Sequence, residues 1–186
     1  MIHEQRLVDR LSQLPTERFS GEVFRATGIS VDPTAASING GRWSLPPDSD
    51  QGTYVLFTSL EQNGALAELC SFLATLTPIP RARSIRVTKI SVTTSKTVRL
   101  SKAELTQLDV DLERYGQRDY TRTQSIGAAL AFLEFDGLIA PSARWSCDNL
   151  IIFMGNHALT ERLEIVDSEE VEWRSWAQAN GVLGSS

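Results

Sequence analysis

The sequence predicts an α+β or mixed α/β fold, because short, β-leaning apolar runs and helical patterns are mixed along the chain with no internal repeat. Residues 4–14 read as a short helix ended by Pro15, and residues 21–27 as a strand in which Val23 alternates with Arg25. A long polar, Gly-containing loop follows over residues 28–47, ending in Asn39-Gly40-Gly41-Arg42-Trp43; loops of this length are often functional. Residues 54–59 form an apolar strand. A helix over about residues 60–75 carries Leu66, Leu69, Leu73 and Leu76 as its core stripe, with Glu68 roughly 110° off the stripe's centre, on a flank. Residues 83–93 alternate like a strand through Ile85 and Val87, then Ile90 and Val92. Ser101-Lys102-Ala103-Glu104 has the spacing of a capping box. Residues 120–135 hold a second helix with Ile126, Leu130 and Leu133 on one face. Asp136-Gly137 then turns the chain into a buried strand at 138–140, with further strands at 149–154 and 162–166. Ser168-Glu169-Glu170-Val171 is expected to cap a final helix, its acids placed where the helix dipole prefers them.

The 186 residues fit one compact domain, and 41% hydrophobic residues suffice for a core. A net charge of -5 argues against nonspecific nucleic-acid binding, which needs a basic face to displace counterions. Cys70 and Cys147 lack C-x-x-C spacing and read as reduced, buried thiols. The first residues carry Glu4 and no long apolar run, and no stretch approaches the roughly 20 apolar residues of a membrane span. A soluble, cytoplasmic protein is therefore expected. No G-x-G-x-x-G follows a strand, no G-x-x-x-x-G-K-[ST] is present, and no G-x-S-x-G elbow occurs. His3 and His157 are not paired at metal spacing, so no metal site is expected, and His157 reads as a surface residue.

Three segments carry a resemblance. Phe24-Arg25 is followed after the loop by Gly40-Gly41-Arg42-Trp43-Ser44. Val55-Leu56-Phe57-Thr58-Ser59 is followed by Ala65-Leu66-Ala67-Glu68. The run from Phe135 through Pro141-Ser142-Ala143-Arg144 is followed by Asn149-Leu150-Ile151-Ile152-Phe153. In order and spacing these resemble the RES domain, a family of bacterial toxins paired with antitoxins, over a core of about residues 21–166 of a single 1–186 domain. The resemblance implies an ADP-ribosyltransferase-like split mixed β-sheet with surrounding helices. It also implies NAD as substrate, depletion of cellular NAD as the toxic outcome, and a cognate antitoxin with a helix-turn-helix part that covers the active site. One departure is visible: Phe57 stands where the family has tyrosine.

The residues suit that chemistry. Breaking the nicotinamide–ribose bond builds positive charge on the ribose carbon, which a carboxylate stabilises; Glu68 is the candidate. Arginine matches a pyrophosphate with paired donors and a permanent charge, and Arg42 follows two glycines that let a ligand approach the backbone. Ser142, after Pro141 at a strand end, completes the expected catalytic set. Arg25 would be a second phosphate or ribose contact, or a strand-edge surface arginine. Phe57 would stack on nicotinamide or fill the core, and Trp43 would wall the pocket or pack. Arg144 and Asn149 would brace the serine loop or touch phosphate. Arg42, Phe57, Glu68 and Ser142 are expected to line one cleft. The acceptor of ADP-ribose (water or phosphate) stays open, as do two other readings: transfer to a protein, and an inactive binding module.

Overall fold

The computed structural model describes residues 4–183, so His3 lies outside the described residues. Its elements run α1 (Gln5–Ser12), β1 (Thr16–Gly28), β2 (Val55–Ser59), α2 (Gln62–Leu73), β3 (Ser84–Arg99), α3 (Lys102–Gln107), α4 (Thr121–Phe132), β4 (Gly137–Pro141), β5 (Asp148–Phe153), β6 (Leu163–Glu172) and α5 (Trp173–Ala179). The six strands form one mixed sheet in the order β1-β2-β5-β4-β3-β6, and β1 also pairs with β3. Five strands therefore close on themselves, with β6 outside on β3. Only β3–β4 is parallel.

Side-chain alternation divides the interior into three cores. Val23, Ile90 and Val92 from β1 and β3 meet Leu56, Ile139, Leu150 and Ile152 from β2, β4 and β5 inside the ring of strands. The opposite faces of β2, β4 and β5 pack through Val55, Leu138, Ile151 and Phe153 against Leu7, Leu11, Ile126 and Leu130 of α1 and α4. The outer face of β3 buries Ile85 and Val87 under α2 and α5, against Leu66, Cys70, Leu73 and Trp173. The leucine stripe expected in α2 faces this third core: Leu66 and Leu73 are buried, and Leu69 and Leu76 partly so. Of the apolar face expected in α4, Ile126 and Leu130 are fully buried, and Leu133 is the half-buried C-cap. The capping box at Ser101 and Glu104 is present with both reciprocal hydrogen bonds.

Several expectations need correction. Residues 168–171 do not cap a helix. They continue β6, where Ser168 pairs with Thr88 and Glu169 with Val87, and Glu172 caps α5 by accepting from the Arg174 and Ser175 amides. The exposed β6 residues Glu164 to Glu170 offer no burial pattern to read, and the backbone ladder along β3 decides their conformation. Their acids blunt an edge strand that would otherwise invite further pairing. Strands β1 and β3 also run beyond the predicted limits, because Thr16–Ser20 pairs with Thr93–Val98 through mostly polar residues, among which Phe19 and Val98 are too few to show an apolar alternation. His157 is half-buried, its Nε2 2.8 Å from the Thr93 carbonyl oxygen. No helix among the described residues is long and apolar enough to cross a membrane.

Two contacts fix the elements that position the candidate site. The buried Asp136 carboxylate accepts from the Ser95 and Lys96 amides at 2.6 and 2.8 Å, tying the start of β4 to the last third of β3. In α4, a Cβ on Gly127 would lie 1.8 Å from the Trp43 carbonyl oxygen, so only glycine lets the 40–44 turn sit against the helix. Gly127→Ala is expected to destabilise the protein by about 1–3 kcal/mol, as overpacking does. Asp136→Ala is expected to cost roughly 1.5–3 kcal/mol through lost charge-assisted bonds. Urea unfolding of each variant against wild type checks both; an unchanged midpoint for Gly127→Ala would show that the turn does not depend on this close approach.

Candidate active site

The turn that carries Arg42 is built from backbone bonds: the Gly41 amide donates to the Ser44 carbonyl at 2.8 Å, and the Ser44 amide to the Gly41 carbonyl at 3.4 Å. The Gln124 side chain of α4 donates to the same two carbonyls, at 3.0 and 3.4 Å. Trp43 is 2% exposed and belongs to the core beneath α4. Of the two expected roles, walling the pocket or packing, Trp43 takes the second.

Arg42 projects from the turn with its guanidinium carbon 4.4 Å from the Tyr115 ring centroid and 4.7 Å from that of Tyr120. Its Nη2 donates to the Gln117 carbonyl at 3.4 Å. Burial pulls its pKa down. The tyrosines and the Glu68 carboxylate push it back up, and the Arg144 charge adds to the lowering. Arginine starts so high that it stays cationic at neutral pH. Burial also pushes the Tyr115 phenol up, so it remains a neutral donor, and its hydroxyl donates to the Pro141 carbonyl at 2.8 Å.

Glu68 is half-buried on α2, held by its buried neighbours Leu66 and Ala67. Its Oε1 accepts from the Ser142 hydroxyl at 2.8 Å and from Asn149 Nδ2 at 3.0 Å. The antiparallel register of β4 and β5, Ala140 opposite Asn149 and Pro141 opposite Asp148, brings Ser142 and Asn149 side by side. The Ser142 oxygen itself accepts from the Arg144 and Trp145 amides at 3.1 and 3.2 Å, so its single hydrogen is left for the carboxylate. The Asn149 amide must turn its NH2 toward Glu68, since the flipped form would set oxygen against oxygen. Its Oδ1 is buried and accepts no hydrogen bond among the described residues. Among the described residues no donor reaches Glu68 Oε2. The arrangement is a carboxylate with one oxygen clamped and the other available.

The other predicted residues divide. The Phe57 ring tip lies against Gly41, where a Cβ would stand 2.7 Å from Cζ, and the ring packs partly against the core under the turn. Arg144 supplies an amide to Ser142 and a charge felt at Arg42. Arg25 is half-buried and turned toward the 28–47 loop, donating to the Pro33 and Ala35 carbonyls; burial lowers its pKa and Asp32 opposes this. It braces that loop. Glu68, Ser142 and Asn149 are thus in direct contact, Arg42 and Arg144 are within electrostatic reach, and Phe57 supports the turn. A cavity of about 310 Å³ borders Arg42, but residues 109–125 line it and Glu68 does not.

Sequence reasoning missed Tyr115, Tyr120 and Gln124, which no local pattern singles out. It also missed the contact of Ser59 Oγ with Cys147 Sγ at 3.3 Å; Cys147 is only half-buried, unlike Cys70, and neither forms a disulfide.

Comparison with known proteins gives three findings. No curated protein matches the chain. In fold, the chain is similar to one in the crystal structure of the M. tuberculosis MbcT–MbcA toxin–antitoxin complex, with a TM-score of 0.79 and 18% identity, covering 96% of this chain and 98% of that one. The family model of the RES domain matches residues 12–174, a span that contains Arg42, Glu68 and Ser142 with their supporting strands and helices, and the chain therefore belongs to the RES domain family.

Proposed function

We propose that this protein is the toxin of a toxin–antitoxin pair and that it binds NAD and cleaves the nicotinamide–ribose bond. The observation that carries this proposal is the Glu68 carboxylate, clamped at Oε1 by Ser142 and Asn149 while Oε2 stays available, with the Arg42 cation within electrostatic reach. In the proposed reaction the bond between the ribose carbon and the nicotinamide nitrogen breaks. Its electron pair leaves with nicotinamide, which becomes neutral, and positive charge develops on the ribose. Glu68 stabilises that charge and accepts from a ribose hydroxyl. Ser142 and Asn149 hold the carboxylate so that it does not reorganise during the reaction. Arg42, with Arg144 nearby, takes the pyrophosphate. Water then bonds to the ribose carbon and gives up a proton to solvent, or a phosphate oxygen anion bonds there directly.

The fold likeness to a protein from a toxin–antitoxin complex supports a cognate antitoxin as partner. Such a partner, with a helix-turn-helix part, would silence the enzyme by covering the site.

Nicotinamide release from NAD by the purified chain, with and without phosphate, tests the proposal. Wild type is expected to release nicotinamide and Glu68→Ala to release none above background. Dependence on phosphate would make the enzyme a phosphorylase. A wild type that is inert in both conditions would overturn the proposal. Ser142→Ala and Asn149→Ala each remove one hydrogen bond to a charged acceptor, worth about 1.5–3 kcal/mol, and are expected to lower kcat roughly ten- to a hundredfold with a smaller change in KM. Steady-state kinetics on variants with wild-type circular dichroism reads this; equal losses in binding and turnover would mean that the two donors only shape the pocket.

A further inference from the structure

Tyr115 and Tyr120 lie between α3 and α4, outside every segment that carries the family resemblance. Both rings receive the Arg42 guanidinium, at 4.4 and 4.7 Å. A guanidinium is weakly hydrated and stacks readily on an aromatic face, and stacking leaves its in-plane N–H donors free for a second partner. The Gln117 carbonyl engages Nη2 at a long 3.4 Å, so most of the donor edge is uncommitted.

The same segment touches the rest of the site. The Tyr115 hydroxyl holds the carbonyl of Pro141, the residue before Ser142. Arg118 donates to the Ser71 carbonyl at 3.1 Å and lies over the Phe72 ring, pinning the segment to α2 about one turn beyond Glu68. A single stretch of chain thus supports Arg42, is tied to the strand end that delivers Ser142, and is fastened to the helix that delivers Glu68.

We infer that Tyr115 and Tyr120 are positioning residues, an aromatic cradle that holds Arg42 with its donor edge presented to the pyrophosphate of the ligand. This rests on the proposed function in taking that ligand to be a dinucleotide. Tyr120 is half-buried at the N-cap of α4 and can be replaced without opening the core, whereas Tyr115 is 8% exposed.

The test follows the Arg42 Nε–Hε resonance by NMR, assigned by its loss in Arg42→Lys, with inorganic pyrophosphate as the probe. In wild type the resonance is expected to be displaced by ring currents and to shift as pyrophosphate is added. Tyr120→Leu is expected to move it toward the position of a free arginine, to weaken pyrophosphate binding about tenfold, and to raise KM for NAD by about the same factor with a smaller effect on kcat. Tyr120→Phe should rescue most of the lost affinity, because the ring and not the hydroxyl makes the contact. Tyr115→Phe keeps the ring but loses the bond to Pro141, so its effect should fall on kcat more than on KM. An unmoved resonance, or unchanged pyrophosphate affinity, in Tyr120→Leu overturns the cradle. If wild type releases no nicotinamide, the proposed function fails alone, and the resonance and pyrophosphate measurements still decide whether the cradle exists.

Discussion

One oxygen atom joins the parts of the site: Oε1 of Glu68, which receives Ser142 from the end of β4 and Asn149 from the start of β5. Glu68 is separated from both by more than seventy positions in sequence, and ordering the three costs entropy that two hydrogen bonds to a charge only partly offset. The arrangement persists because each donor is fixed elsewhere. Ser142 is held by two backbone amides and by its own amide's bond to the Cys147 carbonyl, and Asn149 by ladder pairs on both sides, with Ala140 and with Ser59. Glu68 is fixed on the flank of a helix whose leucine stripe is sunk in the third core.

Closure of the strands makes such precision possible. A ring of β1, β2, β5, β4 and β3 around seven fully buried aliphatic side chains leaves the strand ends little freedom to shift independently. Ser142 stands just past β4, Asn149 at the beginning of β5, and Glu68 midway along the helix after β2. Arg42 comes from the other construction principle, a tight turn wedged between Gly127 of α4 and the ring of Phe57. A rigid frame supplies the carboxylate and a packed loop supplies the cation, and the 109–120 segment links the two.

Much of this could be read from the sequence where burial and local chemistry agree. The α2 leucine stripe, the Ser101–Glu104 box and the apolar runs at 138–140 and 149–154 all state their own conformation. Glu68 and Ser142 become candidates only through motif order, since nothing local marks a flank glutamate or a turn serine. The failures share a physical cause. Residues 168–171 look like a helix start because acids favour that position, but their conformation is set by pairing with a strand some eighty residues away. For Trp43 and Arg25 the sequence leaves two roles open, and tertiary contacts decide between them: Trp43 lies in the core and Arg25 bonds the adjoining loop. Tyr115 and Tyr120 meet the site only through tertiary contacts, with Arg42 more than seventy residues away and, for Tyr115, with the Pro141 carbonyl.

Phe57 shows how packing can retain a position whose polar group is gone. Its ring tip, where a tyrosine would carry its hydroxyl, abuts Gly41. The ring therefore supports the turn that presents Arg42, and replacing it by a small residue would open a gap beneath that turn. The polar duties around Glu68 are meanwhile filled by Ser142 and Asn149, and those around Arg42 by the Gln117 carbonyl and two tyrosine faces. The geometry of both groups is thus complete with phenylalanine in place, so the departure from tyrosine at this position bears on the strength of the proposed chemistry rather than on the assembly of the residues that would perform it.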